Sequence, residues 1–265
     1  MGSLTGRACL VTGAASGIGK SIADALLAEG ADVAFADIDE GVTAVAASAG
    51  ERVKGDGVGR AIGIKADAAN RDDMRKAVEA TVAAFGALNI MFNNAGINRP
   101  LNFLDVTDEN WDLIMKVNGR SVLIGTQEAA RQMIAQGDGG KIINTASVAS
   151  RQGYANMAPY CASKAAVLSL TQAAARALAP HNITVNGFAP GVVLTPLWEQ
   201  LDKDLVEIGT STKPGEAIEM FSANILRGRA ARAEDITGTT TFLASPASDY
   251  ITGQIIMVDG GKLLV

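Results

Sequence analysis

The sequence predicts an α/β fold: one doubly wound parallel sheet of about seven strands with helices on both faces. Three observations lead there. Short apolar runs alternate with longer Ala-rich stretches of helical spacing along most of the chain. No Pro/Gly/Ser-rich linker tract and no internal repeat divides its 265 residues, so 1–265 reads as a single domain. Hydrophobic residues make up 48% and charged residues 19%, a balance that fills a large core and argues against disorder.

The elements follow in order. Residues 8–12 (ACLVT) form a first buried strand. Residues 17–27 follow as a helix, with Ile18, Ile22, Ala25 and Leu26 at helical spacing and Gly30 as its stop. Further strands are expected at 32–36, 61–65, 88–92, 141–144, 183–188 and 254–258, and helices at 72–85, 110–133, 159–178 and 236–243. The Gly-rich, charged stretch 51–59 reads as a surface loop. Residues 195–224 break the rhythm and form a candidate lid over a substrate.

Charge and cysteine content narrow the function. Lys and Arg number 23 against 28 Asp and Glu, a formal charge of −5, which gives no nucleic-acid footprint and favours a small neutral partner. The two cysteines, Cys9 and Cys161, make no disulfide framework and point to a reducing compartment. The first residues lack a charged leader before an apolar stretch, and no run approaches the ~18 apolar residues that span a bilayer. A cytoplasmic protein with no membrane partner is the expectation, and the triplet Asn182-Ile183-Thr184 is read as carrying no sugar.

Between the first strand and the first helix stands Thr12-Gly13-Ala14-Ala15-Ser16-Gly17-Ile18-Gly19. Glycines there let the backbone turn sharply and approach a pyrophosphate, whose charge sits at the helix N-terminus. Asp37 closes the second strand, where a carboxylate accepts hydrogen bonds from both adenosine ribose hydroxyls and repels a 2′-phosphate. The turn offers no Arg or Lys to receive that phosphate. The expected cofactor is NAD rather than NADP.

The glycine spacing is GxxxGxG, and with it come Asn93-Asn94-Ala95-Gly96 after the fourth strand, Asp67 after the third, and Pro190-Gly191 with Thr195 after the sixth. On these residues the chain resembles the short-chain dehydrogenase/reductase family from Leu10 to Val258-Asp259-Gly260-Gly261. The resemblance implies a Rossmann-like domain that both binds the dinucleotide and carries out hydride transfer. It implies cofactor contacts at Gly13, Ser16, Gly17, Ile18, Gly19, Asp37, Asp67, Ala68, Asn94, Gly96, Tyr160, Lys164, Pro190, Gly191, Val193 and Thr195. It also implies a homotetramer built from helix pairs and the C-terminal segment.

Tyr160 and Lys164 stand one helical turn apart and share a face. An unperturbed tyrosine titrates near ~10, too high for an efficient base near neutrality. A neighbouring ammonium and the positive nicotinamide ring favour the phenolate and lower that value. Tyr160 is therefore expected to take the proton of an alcohol while hydride leaves its carbon. Ser147 would orient the substrate oxygen. Asn118, by resemblance, completes the catalytic set with a water-linked proton relay from Lys164. Two positions depart from the family's commonest pattern: Ala146 stands where many members carry a second Ser, and Gly119 follows Asn118 where a bulkier residue is usual. Cys161 is read as a small packed thiol. With His181 the only histidine, a His- or Cys-based zinc site is not expected, and hydride transfer is expected to need no metal.

The substrate pocket is expected after Gly96, after Ser147 and within 192–224. Asn98, Gln152 and Asn156 would supply polar groups, with Tyr154 and Trp198 as walls. Such a pocket suits a small, neutral, hydroxyl-rich substrate, because unpaired polar groups penalise an apolar one. The C-terminal third is similar to sorbitol- or galactitol-type polyol dehydrogenases, which implies a sugar alcohol oxidised to a ketose. It is also similar to acetoin/butanediol dehydrogenases, the alternative. A 3-oxoacyl-carrier-protein reductase comes third, and a silent NAD-binding regulator is the alternative that is not an enzyme.

Overall fold

The computed structural model describes residues 2–53 and 59–264. Among the described residues, one parallel sheet runs in the order β3-β2-β1-β4-β5-β6-β7, with β1 (Ala8–Thr12), β2 (Asp32–Asp37), β3 (Ala61–Lys65), β4 (Ile90–Asn93), β5 (Gly140–Thr145), β6 (Ile183–Pro190) and β7 (Ile255–Val258). The register pairs Val11 with Phe35 on one side and Phe92 on the other, and Asn144 with Gly187. Strand order reverses at β1, so a crevice opens beyond the carboxyl ends of β1 and β4.

Alternation along the strands builds two cores. Cys9, Val11, Val33 and Phe35 face one layer, formed by α1 (Gly17–Ala28), α2 (Val42–Arg52) and a late helix. Leu10, Ala34, Met91 and Ile142 face the other, packed by α3 (Arg71–Phe85) and by two helices that follow it. Helix ends match their residues. Asn70 caps α3 by accepting from the N–H groups of Asp72 and Asp73, and Gly86 closes it in the left-handed region.

Two element expectations need correction. The single helix expected over 110–133 is three pieces: α4 (Asp108–Ile114), a wide π-helical turn (Met115–Arg120) and α5 (Ser121–Gln136). The loop expected over 51–59 begins inside α2, which ends at Arg52, while 54–58 lie outside the described residues. The remaining helices are α6 (Ala158–Leu178), α7 (Pro196–Glu207), α8 (Glu216–Ser222) and α9 (Glu234–Ala244), the last being the late helix on the first layer. The stretch 195–224 thus holds two helices. Leu201, Leu205 and Ala217 from them pack on Ala149, Met157 and Cys161. Among the described residues, no helix is long and apolar enough to cross a membrane.

Candidate active site

The loops after β1, β2, β3, β4, β5 and β6 surround one cleft of ≈ 540 Å³. Every position expected above to touch a dinucleotide lines it, and so does Ser147. The volume suits a cofactor-sized ligand.

At the turn after β1 the backbone itself forms the wall. Gly13 and Gly17 have φ of 67° and 54°, a region side chains rarely adopt. A Cβ on Gly19 would stand 2.0 Å from the Gly13 carbonyl oxygen, so the turn closes only on bare backbone. Thr12 ties it to the loop after β4: its Oγ1 accepts from the N–H of Asn94 at 3.0 Å and of Ala95 at 3.2 Å. Asn94 Nδ2 donates back to the Thr12 carbonyl at 3.0 Å. Ser16 stands at the N-cap of α1 without a side-chain capping bond, and no acid occupies the first turn. The positive end of α1 is left for an anion, and the turn fits a pyrophosphate.

Asp37 reaches this turn from β2. Its Oδ2 accepts from the Ala15 N–H at 2.9 Å and its Oδ1 from the Asp39 N–H at 3.0 Å. Asp39 and Glu40 follow it, and the nearby Lys65 is paired with Glu40. Asp67, after β3, holds its own loop through the Ala69 N–H at 2.8 Å.

Ser147, Tyr160 and Lys164 meet at the inner end of the cleft. Ser147 caps a short 3₁₀ turn by accepting from the Ala149 N–H at 3.1 Å, which leaves its hydroxyl proton free to donate. Lys164, on α6 one turn beyond Tyr160, is buried, and its Nζ donates to the Thr145 carbonyl at 2.8 Å. The ammonium lies 5.7 Å from the centre of the Tyr160 ring. Asn118 is fully buried behind the cleft and does not line it. Its Oδ1 accepts from the Ile97 N–H at 2.8 Å, and its Nδ2 donates to the Ile97 carbonyl at 2.9 Å and to Ser163 Oγ at 3.1 Å. A Cβ on Gly96 would sit 3.3 Å from Asn118 Oδ1 and 3.6 Å from Lys164 Nζ. The bare glycine therefore leaves a gap between those two groups.

Burial acts on the charged forms of both groups. Burial pushes the phenol up to about 12, and the neighbouring Ser147 hydroxyl opposes this only in part. Burial also pulls the Lys164 ammonium down to about 8. The same desolvation penalises both charges.

Beside Ser147 and Tyr160 a second, small cavity of ≈ 50 Å³ opens under α7 and α8. Tyr154 and Trp198 are walls as expected, joined by Met157, Leu197, Leu201 and Phe221. Phe221 meets the rings of Tyr154 and Trp198 edge-on, with centres 5.7 and 5.6 Å away. Two of the three expected polar groups are elsewhere. Gln152 is exposed, and Asn156 donates to Asn102 and Thr210 in the surface loops. Asn98 alone lines the cavity. The sequence reading missed Thr12, the Thr145 carbonyl and Ser163, which hold other site groups. Only Thr12, beside the glycines, carried a local signal.

A family model described as enoyl-(acyl carrier protein) reductase matches residues 13–262. The chain belongs to the short-chain dehydrogenase/reductase family. Its relatives include a diacetyl reductase, (S)-acetoin forming, of Staphylococcus epidermidis, 38% identical over 96% of this chain and 98% of that protein. The L-2,3-butanediol dehydrogenase of Corynebacterium glutamicum is 40% identical over 97% of this chain and 98% of its own length. A sorbitol dehydrogenase of Cereibacter sphaeroides is 40% identical over 98% of both chains. The structure of a short-chain dehydrogenase/reductase from Mycobacterium marinum superposes with a TM-score of 0.88 at 35% identity, covering 99% of this chain and 97% of that one. A Beutenbergia cavernae protein assigned as an NAD(P)-dependent gluconate 5-dehydrogenase, with NADP bound at low occupancy, gives 0.86 at 34% identity over 98% and 97%.

Proposed function

We propose that the protein interconverts a secondary alcohol and a ketone with NAD, acting on a short substrate whose reacting carbon neighbours a second oxygenated carbon. One observation carries the reading: the bare glycine turn and the Ser147, Tyr160 and Lys164 side chains border the same cleft.

The nicotinamide, when bound, supplies the hydride acceptor for oxidation and the donor for reduction. Ser147 donates its free hydroxyl proton to the substrate oxygen and holds it beside Tyr160. Tyr160 Oη takes the carbinol proton in oxidation and returns it to the developing alkoxide in reduction. Lys164, anchored on Thr145, lends positive charge on the far side of the phenol. Asn118 fixes the Ile97 backbone and lies beside Gly96, where a water would link it with Lys164. Residues 195–224 act as the cover that excludes bulk water from the cavity.

The choice of NAD follows from carboxylates. A 2′-phosphate at the end of β2 would meet Asp37, Asp39 and Glu40, and Lys65 is already paired. For the substrate, we favour a four-carbon acyloin or dione of the acetoin type over a sugar alcohol. A cavity of ≈ 50 Å³ walled by Trp198, Leu197 and Met157 accepts a methyl group but is short for the carbon chain of a longer polyol. The polyol reading stays second, supported by the similarity to the sorbitol dehydrogenase.

The test is a panel of acetoin, diacetyl, sorbitol, galactitol and an acyl thioester with both cofactors, following absorbance of the reduced nicotinamide. The expected result is fastest NAD-linked turnover of acetoin or diacetyl, reduced about 10²–10⁴-fold by Tyr160→Phe. A wild-type protein silent toward every secondary alcohol and ketone would end the reading.

A further inference from the structure

Buried side-chain polar atoms are nearly always hydrogen-bonded, and one left alone costs about as much as a lost bond. Among the described residues, two residues that line the small cavity carry such a solitary atom: Asn98 Oδ1 and Tyr154 Oη. The tyrosine is half-buried. Asn98 has no such latitude. It is 7% exposed, and the residue before it is clamped at both N–H and C=O by the buried Asn118.

The other end of the Asn98 amide has a weak partner. Nδ2 donates to the thioether sulfur of Met157 at 3.2 Å, and sulfur is a poor acceptor. Turning the amide over would give up the N–H···S bond and leave an N–H₂ without an acceptor. In either orientation a strongly polar atom stands unsatisfied on a residue that lines a cavity bordered also by Ser147, Tyr160 and Lys262, with apolar side chains making up most of the rest.

We propose that Asn98 is a specificity-determining residue: its carboxamide binds the second oxygen of the substrate, on the carbon next to the one that Ser147 and Tyr160 address. The inference deepens the function proposed above and rests on it. An amide suits this task better than a carboxylate or a lysine. It accepts from a hydroxyl through Oδ1 and, turned over, donates to a carbonyl through Nδ2, so one side chain serves both an acyloin and a dione. A substrate lacking the second oxygen leaves the amide as it stands in the free protein, and so gains nothing from it.

The test compares two four-carbon ketones that differ by one hydroxyl, acetoin and 2-butanone, in steady-state reduction by wild type and by Asn98→Leu. Leucine matches asparagine closely in size and removes both polar atoms. The expected result is a fall of about 10–100-fold in kcat/KM for acetoin, with 2-butanone changed by less than about 2-fold. Binding of reduced cofactor, read by its fluorescence, should be unchanged. Should Asn98→Leu fail that binding check, Asn98→Ala carries the same expectation. Equal losses for both ketones, or an unaltered preference for acetoin, would overturn the assignment of Asn98 while leaving the oxidoreductase reading intact. No turnover of either ketone by wild type would instead remove the function on which the assignment stands.

Discussion

Replacing Asp37 by Asn changes one charge and almost no volume, which makes it the sharpest probe of cofactor choice. The carboxylate is half-buried at the end of β2 and already serves the Ala15 and Asp39 N–H groups. A phosphate at ~4 Å would meet a repulsion of about 4 kcal/mol per unit charge at an effective dielectric near 20. Partial exposure and salt screen part of this, and about 2 kcal/mol is a reasonable remainder, or roughly 30-fold in affinity. On the NAD side, an amide oxygen is a weaker acceptor for ribose hydroxyls than a carboxylate, a loss of about 1 kcal/mol, or roughly 5-fold. Together the ratio of kcat/KM for NAD over NADP should fall about 10²-fold in Asp37→Asn. The assay is initial rates with each cofactor under saturating alcohol, at two ionic strengths, with the smaller effect at higher salt. Since Asn retains only one acceptor oxygen, a small drop in Tm is also expected. A ratio that stays within about 3-fold of wild type at low salt would refute the electrostatic argument and leave Asp37 with its loop bonds alone.

Two more outcomes follow from the site. Burial lowers Lys164 to about 8 against an ordinary 10.5, so between those values the unfolded chain holds a proton that the folded one has released. Stability therefore gains with rising pH across that window, by an amount on the order of 3 kcal/mol at its top, and gains nothing below it. Tm followed from pH 7 to about 10.5 should rise for wild type relative to Lys164→Met; parallel curves would contradict the burial argument. At Gly19, an added Cβ meets backbone at 2.0 Å and Asn94 Nδ2 at 2.5 Å. Gly19→Ala should therefore displace the turn and weaken reduced-cofactor binding by at least about 10-fold, measurable by fluorescence titration. Unimpaired binding would mean that the turn does not cradle the pyrophosphate.

Most of the sheet was legible because β1 and β2 are continuous apolar runs ended by glycine or acid. The cleft was legible for a related reason: glycine turns, Asn94 and the Tyr160–Lys164 pair each carry a local signature. α2 escaped notice although Val42, Ala46 and Ala49 stand at helical spacing, because its stripe is made of small residues and gives a faint contrast. The substrate pocket was the least legible part. Gln152 and Asn156 read as polar lining, yet whether a loop side chain turns inward depends on bonds made to Asn102 and Thr210, more than fifty residues away in each case. Burial of the phenol was illegible for a different reason: sequence gives the neighbour that favours a phenolate but not the desolvation that opposes it.

The π-helical turn at Met115–Arg120 has a bearing on how this fold can change. Such a turn widens a helix by one residue, so all that follows is rotated by about 100° from where an unbroken α-helix would carry it. Asn118 lies in that widened ring, and α5 beyond it presents Val122, Ala129 and Met133 to the interior. Removing a single residue here would tighten the coil into ordinary helix and swing those side chains off the core. Length variation tolerated in surface connections is therefore forbidden at this spot, and any rearrangement must substitute residues one for one.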